Sequence, residues 1–298
     1  MAPYKPLRAP TSERPPMDNV ELSTVLRDQF PASTLLLLGA GLLSTALLLT
    51  RSHWVVLPVF VALAYKLGDT LLQVYGWREN AYMRGVVPQT YAAQLPPVEG
   101  DEGPGASGVV VFILAARVNH PLGLLGAPGA SELSGWAQKC YQAVQDNYDE
   151  YGVLGMSTYL GTSRAAGNEF LTIMYFRNAE GVYKFALSDI HKQTWRWFSS
   201  VQKTHPHLSV MHETYDVPPR HWEAVYVKMH RMGLAGASVK VTREERDMLD
   251  APAGKEEGDS VWWSTPVDPS KGKMRSGMGR LDRGDGGEHV REGLGKEE

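Results

Sequence analysis

Val109-Val110-Val111-Phe112-Ile113-Leu114-Ala115-Ala116-Arg117-Val118-Asn119 is the stretch on which the reading of the fold turns. Its β-branched and aromatic residues favour an extended chain, and both faces are apolar, as in a central strand covered on both sides. Pro121 and the Gly-rich piece up to Gly129 end it. Ser131 is placed to cap a helix over 132–149, where Leu133, Trp136, Ala137, Cys140, Tyr141 and Val144 recur at helical spacing. Val153–Gly161 and Asn168–Arg177 read as strands joined by a hairpin connection at 162–167. A second helix is predicted over Ala179–Lys203, with Tyr183, Ala186, Leu187, Ile190, Thr194, Trp197, Phe198 and Val201 on one side. His207–Val217 and Trp222–His230, divided by Pro218-Pro219, complete the set. The order strand, helix, strand, strand, helix, strand, plus a final strand, is that of a ferredoxin-like split βαβ unit in the α+β class, over residues 108–235. An open face of such a sheet invites pairing with a second copy, enclosing a cavity between the two.

Working outward, Ser33–Thr50 is a run of eighteen residues without a charge. At 1.5 Å per residue it reaches roughly 27 Å, close to the thickness of a bilayer's hydrocarbon core. Trp54–Tyr65 follows, and the apolar run continues to Tyr75 past Lys66 and Asp69, each costly near the bilayer centre. Trp54, Tyr65, Tyr75 and Trp77 stand where interfacial aromatics would. Residues 33–75 therefore read as a two-helix transmembrane hairpin, the alternative being a helical hairpin packed on a soluble domain. A signal peptide is disfavoured, since about thirty residues precede the run. Arg8, Arg14 and Arg27 before the hairpin and Arg78 and Arg84 after it suit both flanks, and the soluble domain, on the cytosolic side of a multi-pass protein. Residues 1–32 read as a disordered N-terminal segment, 76–107 as a Pro- and Gly-rich linker, and 236–298 as a disordered, charged, Gly-rich tail in which Trp262-Trp263 is the one apolar spot.

The net charge of −3 and pI near 6.3 give no reason to expect nucleic acid as a partner. Cys140 is the only cysteine, so an intrachain disulfide and a thiolate metal cluster are both excluded. No Asn-x-Ser/Thr acceptor occurs, and there is no Walker or Rossmann glycine loop and no Gly-x-Ser-x-Gly elbow.

Arg117-Val118-Asn119-His120-Pro121-Leu122-Gly123, the run YGVLGMSTYLG at 151–161, the segment Phe185 through His191 to Trp195-Arg196-Trp197, Met211-His212-Glu213-Thr214-Tyr215 and Trp222–Val227 follow one another along the domain. With these the chain resembles the monooxygenase-like family of dimeric α/β-barrel proteins, of the kind that tailors secondary metabolites in fungi. The resemblance implies a ferredoxin-like protomer that forms a homodimer and holds a hydrophobic small molecule in a pocket. It implies cofactor-free oxygenation of a polyketide-type substrate, with a haem-dependent, aldoxime-dehydratase-like lyase as the alternative. A non-catalytic binding protein for a lipophilic compound at the membrane is the reading from outside enzymology.

Strand alternation puts Ile113, Ala115, Arg117 and Asn119 on one face of the first strand, and Phe112, Leu114, Val118 and His120 on the other. If the first face looks into the cavity, Arg117 and Asn119 become its polar end, Asn119 holding a carbonyl or enolate and Arg117 stabilising negative charge. The plainer reading is a salt bridge for Arg117 and a turn role for Asn119. His191 lies about 80° from the centre of its helix's apolar stripe, where an imidazole meets both cavity and water and can act as base, or as an axial ligand to haem. His212 and Glu213 point to opposite faces, which argues against a His/carboxylate metal site; one of them is expected to partner Arg117 or His191. The catalytic set is thus His191, Asn119, Arg117, His212 and Glu213, no metal ligand is assigned, and His120, Tyr175, Trp195 and Tyr215 are expected to wall the substrate pocket.

Overall fold

A computed structural model describes residues 5–15, 23, 28–96, 101, 103–161, 169–242 and 260–283. The run at 109–118 is a strand, β3 (Val109–Val118), and it is central as its two apolar faces require. It pairs antiparallel with β5 (Phe170–Phe176) on one side and β6 (Leu208–Val217) on the other, and β4 (Val153–Leu160) adds to β5. The order β4-β5-β3-β6 is the split βαβ arrangement expected, because each crossover helix carries the chain past one strand position.

Helices α3 (Ala130–Asp146), α4 (Ala179–Ala186) and α5 (Asp189–Val201) follow. The single helix expected over 179–203 is two. Leu187 closes α4, and the Ser188 hydroxyl accepts a hydrogen bond from the His191 N–H, so Ser188 caps a new helix instead of continuing the old one. α3 and α5 pack on each other and on one face of the sheet, where Val118, Leu133, Phe198 and Leu208 share a core.

The largest departures lie outside this unit. β7 (Val225–Val227), expected as a last strand of the main sheet, pairs instead with β2 (Thr90–Ala93). β2 falls in the expected linker, yet Tyr91, Ala92 and Ala93 are fully buried. The expected disordered tail supplies β8 (Ser238–Thr242), β9 (Ser260–Ser264) and β10 (Pro266–Asp268), and the N-terminal segment supplies β1 (Lys5–Pro6). Trp263, Val261 and Val267 are core residues packed with Tyr91, Val109 and Leu154, which is why the segment folds despite its charged surroundings. Trp262 meets the ring of Tyr148 edge-on at 4.9 Å, and the Arg14 guanidinium lies 4.3 Å over the same ring. Residues 1–4, 16–22 and 24–27 of the N-terminal segment, 97–100 and 102 of the expected linker, the hairpin connection expected at 162–167, and 243–259 and 284–298 of the tail lie outside the described residues.

The second sheet has the order β1-β10-β2-β7. With the turn at Gly233–Gly236 it covers part of the main sheet's outer face, the one away from the helices: Tyr175 packs into the shared core, and the Gly233 N–H donates to the Ser157 hydroxyl at 2.9 Å. Gly155 marks a bulge in β4, and a Cβ there would lie 2.9 Å from the Ala237 backbone, so only glycine lets the two segments approach.

Between β1 and β2 the chain runs through α1 (Ala32–Thr50) and α2 (Leu57–Val74), no residue of which is buried. With the turn that precedes α2, both are long and apolar enough to cross a membrane. Asp69, the residue least suited to a span, is held by Gln73 at 2.7 Å and paired with Arg78 just beyond the helix. β1 precedes this hairpin and β2 follows it, yet β10 joins both in one sheet. The two ends of the hairpin therefore sit on one side of any membrane, and α1 and α2 cross it together or not at all.

Candidate active site

A cavity of about 600 Å³ lies between the main sheet and the helices, a size suited to a small organic molecule. Phe112, Leu114 and Ala116 of β3 and Phe170 and Met174 of β5 form its floor; Cys140 and Tyr141 of α3 and Thr194, Trp195 and Phe198 of α5 form its roof. The register explains the floor. Thr158, Thr172 and Leu114 stand side by side, as do Met156, Met174 and Phe112, so the even-numbered residues of β3, of β5 and of β4 from Met156 onward share the helix-side face.

Three polar features interrupt this apolar surface. The Tyr141 hydroxyl lies 2.9 Å from that of Thr172, which lies 3.1 Å from the hydroxyl of Thr158. Burial pushes the Tyr141 phenol up, so it keeps its proton at neutral pH and remains a hydrogen-bond donor. Cys140 Sγ is 3.3 Å from Thr194 Oγ1. The Thr194 proton goes to the Ile190 carbonyl, so the thiol is the donor, and burial pushes it up too. His191 Nδ1 is 2.9 Å from the Ala186 carbonyl, an acceptor only. The proton therefore sits on Nδ1 and the lone pair on Nε2, with Phe185 packed edge-on against the ring at 5.2 Å. That is the tautomer of a base.

Of the nine residues picked from sequence, the structure brings His191, His212 and Trp195 to the cavity wall with their side chains on its face. His212 stacks on Phe112 at 5.6 Å near the open edge of the sheet. Arg117 borders the cavity, but alternation turns its side chain to the outer face, where it donates to Glu169 at 2.8 Å and to Asn119 Oδ1 at 2.9 Å. Its ion-pair partner is thus Glu169, rather than His212 or Glu213. Asn119 donates to the Ser209 hydroxyl at 2.6 Å and is exposed. The face expected to look into the cavity is the outer one: both faces of β3 are apolar, and alternation alone could not rank them. Glu213 accepts from the Tyr215 hydroxyl at 2.7 Å on that outer face. Tyr175 is there as well, its phenol pushed up to about 12 by burial and then by neighbouring Tyr226 and Tyr159. His120 accepts from the Leu122 N–H at 3.2 Å and packs against His207, a loop-shaping role outside the cavity. Tyr141, Thr158, Thr172, Cys140 and Thr194 were missed, although threonines at matching positions of two paired apolar strands were a usable signal. Among the described residues no cluster of His, Cys, Asp or Glu could hold a metal ion.

The family described as Monooxygenase af470-like matches residues 109–234, which span the main sheet, its helices and β7. Along nearly the whole chain, the sequence is 30% identical over 286 residues to monooxygenase af470 of Aspergillus fumigatus, covering 94% of this chain and 98% of that one. The chain belongs to the monooxygenase af470-like family. It is a monooxygenase-like enzyme, as the resemblance implied. The similarity to this relative therefore extends past the ferredoxin-like unit into the hairpin and the second sheet. Among solved structures, the cofactor-independent oxygenase SnoaB of Streptomyces nogalater aligns with a TM-score of 0.24 at 10% identity, over 37% of this chain and 92% of that one. An aldoxime dehydratase aligns with a TM-score of 0.36 at 15% identity, over 50% of this chain and 44% of that one. Likenesses of that size say nothing of chemistry.

Proposed function

We propose that this protein is a membrane-tethered, cofactor-free monooxygenase that oxidises a hydrophobic, polyketide-type small molecule of secondary metabolism. The observation that carries the reading is an apolar cavity with a histidine base on its wall and a phenol donor in its roof. His191 Nε2 removes a proton from an acidic C–H of an electron-rich aromatic substrate. The Tyr141 and Thr158 hydroxyls stabilise the resulting enolate oxygen, the role first given to Asn119 and Arg117. The carbanion passes electrons to O₂, forms a C–O bond and takes the proton back from His191 as a hydroperoxide; loss of water, using the second hydrogen of that CH₂ carbon, leaves a carbonyl. Apolar walls keep bulk water from quenching the carbanion.

The haem alternative fits less well. A haem needs cations for its propionates, and among the described residues Arg117 is the only lysine or arginine bordering the cavity, its guanidinium turned to Glu169. Tethering by two spans rests on α1 and α2 and on the sheet that joins their flanks. The homodimer belongs to the same proposal: Met211 and Tyr215 of β6, both exposed, are apolar surface on the outer face of the edge strand.

Oxygen uptake by the full-length protein, offered a panel of electron-rich polycyclic phenols, tests the reading. His191→Ala should lower the rate by about 10²- to 10⁴-fold, the usual contribution of a positioned base. Turnover without oxygen consumption would overturn the oxygenase, and an unchanged rate in His191→Ala would remove the base.

A further inference from the structure

One loop joins the cavity to the membrane hairpin. Gln29 is 4% exposed and reaches the connection between β3 and α3. Its side-chain amide donates to the Leu122 carbonyl at 2.8 Å and accepts from the Leu124 N–H at 3.1 Å. Both polar atoms of the amide are thus used on one three-residue stretch. Gly123 lies between, at φ +53°, and a Cβ there would fall 2.0 Å from the Gln29 side-chain nitrogen, so the latch needs glycine. Only Phe30 and Pro31 separate Gln29 from Ala32, where α1 begins. Three residue steps reach at most about 11 Å, so the loop cannot lie far from where α1 enters a bilayer.

The loop is made for that position. Residues 121–131 carry no charge. Leu122 and Leu125 are 56% and 53% exposed, while Leu124 between them turns inward and lines the cavity. Trp195, on the cavity wall, is 55% exposed. Two exposed leucines on an uncharged loop at the root of a membrane helix are apolar surface that the bilayer interface would receive favourably.

We propose that the Pro121–Gly126 loop inserts Leu122 and Leu125 into the bilayer surface that holds α1, and that the cavity takes its lipophilic substrate from that leaflet. The inference rests on α1 and α2 being spans, and the test separates the two. The full-length chain, with Cys140→Ser to keep the bond to Thr194, is reconstituted in phosphatidylcholine vesicles and labelled with an environment-sensitive fluorophore at Leu125→Cys or at Gly41→Cys in mid-α1. The expected result is a blue-shifted Leu125 label quenched by lipids doxylated near the headgroup, and a Gly41 label quenched by deep-doxylated lipids. A quenched Gly41 label beside a Leu125 label in water overturns this inference and spares the tether; both labels in water overturn both. Gln29→Ala should speed hydrogen exchange at the Leu124 amide and move the Leu125 label toward water. If neither changes, Gln29 is no latch.

Discussion

The two faces of the main sheet are built from the same strands and used in opposite ways. The helix-side face is left partly unfilled, and polar groups there, His191, Tyr141, Thr158 and Thr194, line an empty volume. On the outer face the polar groups are paired with one another: Arg117 with Glu169, Glu213 with Tyr215, Ser157 with Gly233. Part of that face is sealed by segments from both ends of the chain. Polar groups that satisfy each other leave little to offer a substrate, whereas hydroxyls and an imidazole lone pair facing a cavity keep bonding capacity in reserve. On the proposed reading, richness in charged residues does not mark the reactive face.

The contrast can be broken from the outer side first. Trp263→Ala removes the largest fully buried side chain, from a core that includes Val109 and Leu154 of the main sheet. It should cost about 3–5 kcal/mol of stability by chemical denaturation, with the main sheet and second sheet unfolding in one transition. A separate early transition would make the second sheet a removable cover. On the cavity side, Thr172→Val keeps shape but strands the Tyr141 and Thr158 hydroxyls, an expected loss of about 1–3 kcal/mol. The same denaturation curve reads it, and a neutral outcome would mean that water replaces the threonine.

The smallest effect is on pH. Tyr175 on the outer face has its folded-state pKa pushed up to about 12, above the value near 10 of an exposed phenol. Its neutral form is favoured by the fold, so its stabilising contribution is complete below pH 10 and is lost as pH rises toward 12. The melting temperature should fall across that window, and Tyr175→Phe should flatten the fall. An equal slope in the variant would place the titration elsewhere.

Much of the ferredoxin-like unit was legible because each of its elements carries a long periodic signal: the stripe on α3, the alternation of β4 and β5, the unbroken run of β3. The break at Leu187-Ser188 was hidden by apolar residues that keep helical spacing across it, although an N-cap serine followed by an acidic residue in the first turn is a helix-start signal. β2, β9 and β10 were lost for a different reason. Each is five residues or fewer, set among prolines, glycines and charges, and composition averaged over such windows reads as unstructured. Their strand character comes from partners far away in sequence, which no local pattern encodes. The hairpin was plain from hydropathy, and that its two ends lie on one side follows only once β1 and β2 are known to share β10.

That shared strand also sets a timetable for making the protein. Lys5 pairs with Asp268, so β1 has no partner in the second sheet until almost the last described residues leave the ribosome. The hairpin emerges long before, and on the proposed reading it settles in or on the membrane while β1 and β2 are still single strands. Joining ends some 260 residues apart is a slow closure for a chain to find by diffusion. Settling the hairpin first brings both flanks to one surface and shortens that search, so a chain released before β10 would be anchored yet left with its edges open to aggregation.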